Sequence, residues 1–335
     1  MRNHREDGGN RNLCDLCVLC GSRFFQRASR IALAFIVTFA GLAGTALAQN
    51  FKVTLLGTGN PRPVMSRFGP SILVEAGNEK LIFDCGRGAI QRLYQLKVPF
   101  SAITGLFLTH LHSDHTVGIP DLWLTGWVMG RATPLPVWGP KGTKSMMKNL
   151  QKAYAFDIHI RRDVDTKLPG AGAEVIAKDI QEGVVYDNGG VKVTAFLVDH
   201  GEIKPAFGYR IDYAGHSVTL SGDTRPSENL IKCAQGTDVL IHEVVDVPSY
   251  ISLSKSDNPE QEKKIIGHHT TAEQAGIIFS RVRPKLAVYS HIVPSDASDV
   301  VAHTRPTYSG PLLLGEDLMS IDVGEKIIVN NPPPQ

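Results

Sequence analysis

Short apolar runs alternate with helical patterns along the chain after residue 50, and glycine or proline separates many of them. Runs of four to eight apolar or alternating residues predict strands, whereas apolar positions three or four apart predict helices. The predicted strands span 51–56, 71–75, 80–83, 103–108, 135–138, 191–198, 207–213, 217–220, 239–242, 285–290, 318–323 and 326–329. The predicted helices span 87–96, 120–129, 143–154 and 271–281.

The strands cluster in two runs, and helices lie between and after them. This order favours two sheets packed face to face with helices outside, an α/β (α+β) arrangement. The sequence shows no internal repeat and no linker beyond the first fifty residues. We therefore expect a single domain over residues 49–330.

Residues 1–48 have a different pattern. Arg23, Arg27 and Arg30 precede an apolar run over 31–42, and the segment ends in Ala46-Leu47-Ala48. A basic start, a short apolar core and a small-residue exit predict a cleavable secretory signal peptide over residues 1–48, with cleavage near Ala48. The protein is then expected in the periplasm or the medium, with no stable membrane span after cleavage. An uncleaved N-terminal anchor is the alternative, although the run is short for a span.

Charge and cysteine content depend on that cleavage. The whole chain has 35 basic and 33 acidic residues, and loss of residues 1–48 leaves a formal charge of about −1. A near-neutral protein has no broad electrostatic attraction for nucleic acid, so nucleic acid is expected to be an unlikely partner. Cys85 and Cys233 would remain, either as a disulfide or as two free thiols.

Four residues of metal-ligand type lie within six positions, directly after the strand predicted at 103–108. Because side chains alternate along an extended segment, the first two of these residues point the same way, and a turn lets the others face a second point. Imidazole and carboxylate groups suit zinc. A solvated polar turn is the alternative. The four residues are His110, His112, Asp114 and His115.

Three more candidate ligands follow predicted strands further along the chain: His200, Asp223 and His291. The two oxygens of an aspartate carry separate lone pairs, so Asp223 could bridge two cations. Two alternatives stay open. Asp199 could be the ligand instead of His200, and Asp223 could cap a helix that starts near Ser227.

The chain resembles the metallo-β-lactamase superfamily over roughly residues 52–291. The resemblance is to the branch that holds ribonuclease Z, the zinc-type arylsulfatases and related phosphodiesterases. The motifs that carry it are Gly57-Thr58-Gly59 with Pro61, Phe83-Asp84-Cys85-Gly86, the 110–115 run, Pro205-Ala206-Phe207-Gly208-Tyr209-Arg210, Ser221-Gly222-Asp223-Thr224 and the 269–275 run.

This resemblance implies the αββα four-layer sandwich and two divalent metal ions. Zn²⁺ is expected, with Mn²⁺ or iron as alternatives. True β-lactamases lack the shared bridging aspartate, so antibiotic hydrolysis is not expected. One metal would take His110, His112, His200 and Asp223, and the other would take Asp114, His115, Asp223 and His291.

The resemblance also implies roles in catalysis by a hydroxide shared between the two metals. Asp114 would orient the hydroxide or accept its proton, and His269 would contact the ester and assist the leaving group. His268 is the local competitor of His269. Glu243 is a candidate for orienting a histidine, although it and His242 could equally be structural.

The resulting expectation is a metal-dependent hydrolase of small-molecule sulfate or phosphate esters, arylsulfatase-like or phosphodiesterase-like. Ribonuclease Z carries a long flexible arm between the positions that match His200 and Asp223, but residues 201–222 leave room here for two short strands only. The alternatives are a ribonuclease Z-type 3′ transfer-RNA processing endonuclease, a lactonase-like hydrolase and a non-catalytic binding member of the fold. The resemblance also allows a homodimer.

Overall fold

The computed structural model describes residues 50–253 and 258–332, all of which belong to one compact unit. The signal peptide predicted over residues 1–48 lies outside the described residues. Within the described ranges, no helix is long and apolar enough to cross a bilayer.

Fifteen strands of the described chain form two sheets, and most are short apolar segments as expected from the sequence. The strands are β1 (Phe51–Gly57), β2 (Ser71–Ala76), β3 (Glu79–Phe83), β4 (Gly105–Phe107), β5 (Leu135–Gly139), β6 (Val175–Asp179), β7 (Gly183–Asn188), β8 (Val191–His200), β9 (Ile203–Tyr213), β10 (His216–Leu220), β11 (Val239–Val245), β12 (Leu286–Val293), β13 (Leu312–Leu314), β14 (Ser320–Asp322) and β15 (Ile328–Asn330). The first sheet has the order β15-β14-β1-β2-β3-β4-β5-β6, and the second has β13-β12-β11-β10-β9-β8-β7.

The helices connect the strands and cover the sheets. They are α1 (Ala89–Gln95), α2 (Ser113–Thr116), α3 (Ile119–Val128), α4 (Thr143–Ala153), α5 (Ala155–His159), α6 (Glu228–Cys233), α7 (Val247–Leu253), α8 (Pro259–Gly267), α9 (Ala272–Val282) and α10 (Val300–Thr304). Helix α9 starts with a full capping box, in which Thr271 and Gln274 exchange side-chain and backbone hydrogen bonds.

Aromatic contacts show that the two sheets face each other. Tyr209 of β9 lies 5.3 Å from Phe83 and 5.8 Å from Phe107 between ring centroids, and the latter two belong to the other sheet. A second apolar cluster lies between the first sheet and helices α1, α3 and α4, and a third lies between the second sheet and helices α6 and α9. Three apolar interfaces make four layers, so the predicted αββα sandwich is confirmed.

The strands at one edge of each sheet were not predicted. β6 and β7 contain no fully buried residue, and Lys178, Asp179 and Glu182 lie within or between them. Edge strands with exposed polar side chains lack the apolar pattern on which the prediction relies. β9 also extends beyond its predicted start, because its first residues pair with β8 although Lys204 and Pro205 are polar or strand-breaking.

A buried ion pair joins helix α1 to the loop that precedes β14. Arg92 donates to Asp317 Oδ2 at 2.9 Å, and the two side chains are 4% and 1% exposed. The other oxygen of Asp317 accepts from the backbone nitrogen and the hydroxyl of Thr58, each at 2.9 Å. The carboxylate therefore holds the loop that follows β1 against the body of the protein.

We predict that Asp317→Ala lowers the free energy of unfolding by about 3–5 kcal/mol, because it leaves a buried guanidinium without its partner. Urea unfolding followed by circular dichroism measures the change. Arg281→Ala is the control, since it breaks an exposed pair with Glu228 and should leave the midpoint nearly unchanged. Equal midpoints for the two variants would contradict the assignment.

Candidate metal centre

Strand ends deliver the seven predicted ligands to one place. His110 and His112 follow β4 on extended backbone, and α2 then begins at Ser113. His200 ends β8, Asp223 follows β10, and His291 lies near the end of β12. The first turn of α2 adds the last two, Asp114 and His115.

Three histidines and one aspartate form the first group. The His110 Nε2 to His112 Nδ1 distance is 2.9 Å, and the His112 Nδ1 to His200 Nε2 distance is 3.4 Å. Asp223 Oδ2 lies 3.8 Å from the Nε2 atoms of both His110 and His200. Ligands at about 2.0–2.2 Å around a tetrahedral ion stand about 3.3–3.6 Å apart. The observed separations of 2.9–3.8 Å lie on both sides of this range, so the group could hold one ion.

The second group shares the same aspartate. Asp223 Oδ2 lies 3.3 Å from the Nε2 atoms of His115 and His291. Asp114 Oδ2 lies 3.3 Å from His291 Nε2 and 3.6 Å from His115 Nε2. These side chains could hold a second ion, with Asp223 between the two.

Unpaired buried atoms support this fit. His115 Nε2 and Asp223 Oδ1 are buried, and neither has a hydrogen-bond partner. Buried polar atoms without partners are rare and point to an absent ion or water. Burial lowers the pKa of His110, His112 and His200, which keeps these rings neutral with lone pairs free for a cation.

Asp84 orients His115 of the second group through the ring nitrogen that faces away from Asp223. Its Oδ2 accepts from His115 Nδ1 and from Thr109 Oγ1, each at 2.8 Å, and its Oδ1 accepts from the Thr109 nitrogen. A proton held on Nδ1 leaves His115 Nε2 free to face a metal. The sequence prediction gave Asp84 no role, although it lies in the Phe83-Asp84-Cys85-Gly86 motif.

A backbone carbonyl orients His200 in the same way. His200 Nδ1 donates to the His268 carbonyl oxygen at 2.9 Å, which leaves Nε2 facing Asp223. No residue-type signal could have indicated this contact, because any residue supplies a carbonyl. Burial lowers the pKa of the His268 side chain to about 4, and the neighbouring His269 adds to the effect.

His269 and Glu243 form a buried pair beside the cluster. Glu243 Oε2 lies 3.2 Å from His269 Nδ1, and Glu243 Oε1 accepts from the backbone nitrogens of Thr224 and Thr270. Burial disfavours the charged ring, but the Glu243 carboxylate outweighs it and raises the pKa of His269 to about 9. The His269 ring stacks on His291 at 5.5 Å between centroids. A protonated ring held by a carboxylate is a group that could donate a proton, and it lies next to the second group.

The alternatives left open by the sequence have different positions. Asp199 is half exposed and pairs with Arg225 at 2.7 Å, away from the ligand cluster. Ser227, not Asp223, caps helix α6 by accepting from the Leu230 nitrogen. His242 of β11 is fully buried, and its ring lies 5.8 Å from that of Phe279 in α9. Cys85 and Cys233 are unpaired.

Comparison with known proteins agrees with this architecture. Residues 79–292 match the family described as the beta-lactamase superfamily domain. The ribonuclease Z of Mycolicibacterium gilvum is 35% identical over 285 residues, which cover 81% of this chain and 96% of that protein. The ribonuclease Z of Mycobacterium avium is 35% identical over 282 residues, which cover 81% and 98%.

Solved structures show the same fold. The human tRNase Z short form superposes with a TM-score of 0.61 at 22% identity, covering 82% of this chain and 99% of that one. A metallo-β-lactamase fold protein of Bacillus subtilis gives a TM-score of 0.62 at 19% identity, covering 82% and 100%.

The fold and the site define a metal-dependent hydrolase of the metallo-β-lactamase superfamily. Within it, the chain belongs to the ribonuclease Z family, because its relatives of that name share 35% identity over 81% of its length. The expectation that nucleic acid is an unlikely partner is therefore wrong. The expectation relied on net charge, which sums over the whole surface and does not show local positive regions.

We predict that Asp223→Ala lowers the metal content from about two ions per chain to below one, since both groups lose a shared ligand. Inductively coupled plasma mass spectrometry of protein purified with zinc measures this content. Asp199→Ala is the matched control, because it removes a nearby carboxylate that pairs only outside the cluster. Full metal content in the Asp223 variant would exclude a bridging role.

Proposed function

We propose that this protein is a ribonuclease Z-type endonuclease that hydrolyses a phosphodiester bond at the 3′ side of precursor transfer RNA. The observation that carries the proposal is the 35% identity to proteins named ribonuclease Z, over 81% of this chain. The donor set of the candidate centre supports it, since two cations suit hydrolysis of an anionic diester.

The short connection between His200 and Asp223 does not count against RNA. The alignment spans 285 residues and includes 81% of this chain and 96% of the Mycolicibacterium gilvum enzyme. The two chains thus have nearly the same length over the matched region. That relative has no room there for an additional arm of tens of residues, yet it is named ribonuclease Z.

The seven candidate ligands would hold two divalent ions, and these ions supply an activated water at neutral pH and neutralise charge on the phosphate oxygens. Asp114 then accepts a proton from the attacking water. Burial disfavours its charged form, but the hydrogen bond with His291 and the charge of His115 hold the pKa of Asp114 below its usual value. The carboxylate is thus available as a base or an orienting acceptor.

His269 would donate a proton to the leaving oxygen. A ring nitrogen of His269 lies within 4.8 Å of the ligand atoms of Asp223 and His291, and this distance supports a role next to a diester held at the centre. Glu243 would orient the ring and favour its protonated form. The water oxygen bonds to phosphorus, the bond between phosphorus and the 3′ oxygen breaks, and that oxygen leaves with the proton from His269.

We predict that His269→Ala lowers kcat on RNA by about 10²–10⁴-fold, because the leaving alkoxide loses its proton donor. The loss should be far smaller with bis-nitrophenyl phosphate, whose nitrophenolate leaves without protonation. His268→Ala is the control, since it retains the backbone carbonyl that holds His200. Equal losses on both substrates would rule out the proton-donor role.

A substrate panel tests the proposed function directly. Precursor transfer RNA, bis-nitrophenyl phosphate, nitrophenyl sulfate and a lactone are each incubated with the metal-loaded protein. RNA cleavage with the highest kcat/KM is expected. Turnover of the sulfate or the lactone alone would overturn the proposal, and turnover of no substrate would favour a non-catalytic member of the fold.

We also propose that residues 1–48 act as a secretory signal peptide, which rests on the arginines and the apolar run described above. Expression in a bacterial host followed by N-terminal sequencing should give a chain that begins near Gln49 in the periplasmic fraction. An intact chain in the cytoplasm would contradict export. Transfer-RNA precursors are made in the cytoplasm, so a chain found only in the periplasm would also contradict precursor transfer RNA as the substrate.

A further inference from the structure

Helix α4 lies in a stretch of chain without negative charge. No Asp or Glu occurs between Asp121 and Asp157, although the chain as a whole has 33 acidic residues. Four exposed lysines occur in that stretch, and none of them forms an ion pair with another described residue. We name these residues the lysine stripe: Lys141, Lys144, Lys148 and Lys152.

The helix geometry aligns these lysines. Lys144, Lys148 and Lys152 are spaced four residues apart, so their side chains lie on one face at intervals of about 6 Å. The opposite face is apolar, and Thr143 and Met147 are buried there. The stripe thus presents a row of lysines without an ion pair to any described residue, and the Asp179 carboxylate accepts only from the backbone nitrogen of Lys144, at 2.9 Å. Such a row matches the backbone of a nucleic acid, in which charges repeat at similar intervals.

The stripe begins beside the chain segment that carries two of the candidate ligands. Gly142, just before α4, approaches the side chain of Leu111, and a Cβ added to Gly142 would lie 3.1 Å from Leu111 Cδ1. Leu111 stands between His110 and His112, and His112 is only half buried. The N-terminal end of α4 therefore packs against the segment that carries His110 and His112.

An exposed aromatic ring follows the stripe. Phe156 in α5 is 79% exposed. Among the described aromatic residues, it forms no ring contact. Aromatic rings beside a positive surface bind single-stranded nucleic acid by stacking on bases. A lysine row and a free ring together are more specific for RNA than either alone.

We propose that the lysine stripe and Phe156 form the surface that guides the RNA substrate away from the metal centre, with the lysines on phosphates and Phe156 on an unpaired base. This inference rests on the proposed function for the identity of the partner. An anionic membrane is the competing partner for a basic helix. RNA is favoured because the lysine row is complementary in charge to a phosphate backbone and begins beside the segment that carries His110 and His112.

The test compares two triple variants of the metal-loaded protein. The first carries Lys144→Gln, Lys148→Gln and Lys152→Gln, since glutamine retains helix propensity and removes charge. The matched control carries Lys192→Gln, Lys232→Gln and Lys326→Gln, three exposed lysines elsewhere in the fold. Binding of a labelled RNA hairpin with a single-stranded 3′ end is measured by fluorescence anisotropy at several salt concentrations. Cleavage is measured separately.

We expect the stripe variant to bind RNA at least about tenfold more weakly and to lower the slope of log affinity against log salt by about 2, while the control matches the unmodified protein. The turnover of bis-nitrophenyl phosphate should stay unchanged. Phe156→Ala should weaken binding of the tailed hairpin about 5- to 100-fold but not that of a blunt duplex, and Phe156→Trp should restore it.

The outcomes separate the two proposals. If both triple variants bind RNA with equal affinity, the proposed RNA-binding surface is overturned, even if the protein cleaves RNA. RNA binding that depends on the stripe supports the proposed RNA-binding surface. If the substrate panel shows no RNA cleavage at the same time, only the proposed function is overturned. Stripe-dependent binding to vesicles of phosphatidylglycerol, without stripe-dependent RNA binding, assigns the face to a membrane and overturns the inference.

Discussion

One carboxylate oxygen organises the candidate centre. Asp223 Oδ2 lies within 3.8 Å of the Nε2 atoms of four histidines, and the whole group is buried. Such a set of lone pairs is unfavourable in a protein interior unless cations or protons join it, because buried polar atoms need partners. Two metal ions held by these residues, with Asp223 as a shared ligand, would satisfy these atoms at once. The ligands meet there because the sandwich brings the strand ends together.

The backbone around Asp223 shows how the fold holds this oxygen in place. Gly222 has a φ of +60°, and a Cβ on it would lie 2.5 Å from the Phe207 carbonyl oxygen, so the turn after β10 requires glycine. Asp84 and the His268 carbonyl set the tautomers of the rings beside it. Burial, turn geometry and hydrogen bonds to the far ring nitrogens therefore act together. They orient the ligands without any direct part in the chemistry.

The sequence predicted the layers and the candidate ligands because both depend on local pattern. Apolar strands show their period, and His110, Asp223 and His291 each follow one of them. The hydrogen bonds that orient His115 and His200 were not predicted. Asp84 makes its hydrogen bond to a residue distant in the sequence, and His268 contributes only its backbone carbonyl. Net charge also hid the lysine stripe on α4, because acidic residues elsewhere cancel it in the sum. The alignment of these lysines on one surface can be seen only in the structure, because the helix determines which residues share a face.

Anomalous diffraction from a crystal of the zinc-loaded protein, recorded on both sides of the zinc absorption edge, tests the central claim most directly. Two peaks per chain are expected, one within ligand distance of His110, His112 and His200 and the other within ligand distance of Asp114, His115 and His291. The Asp223 carboxylate should contact both. A single peak, or a pair of peaks that Asp223 does not join, would contradict that claim.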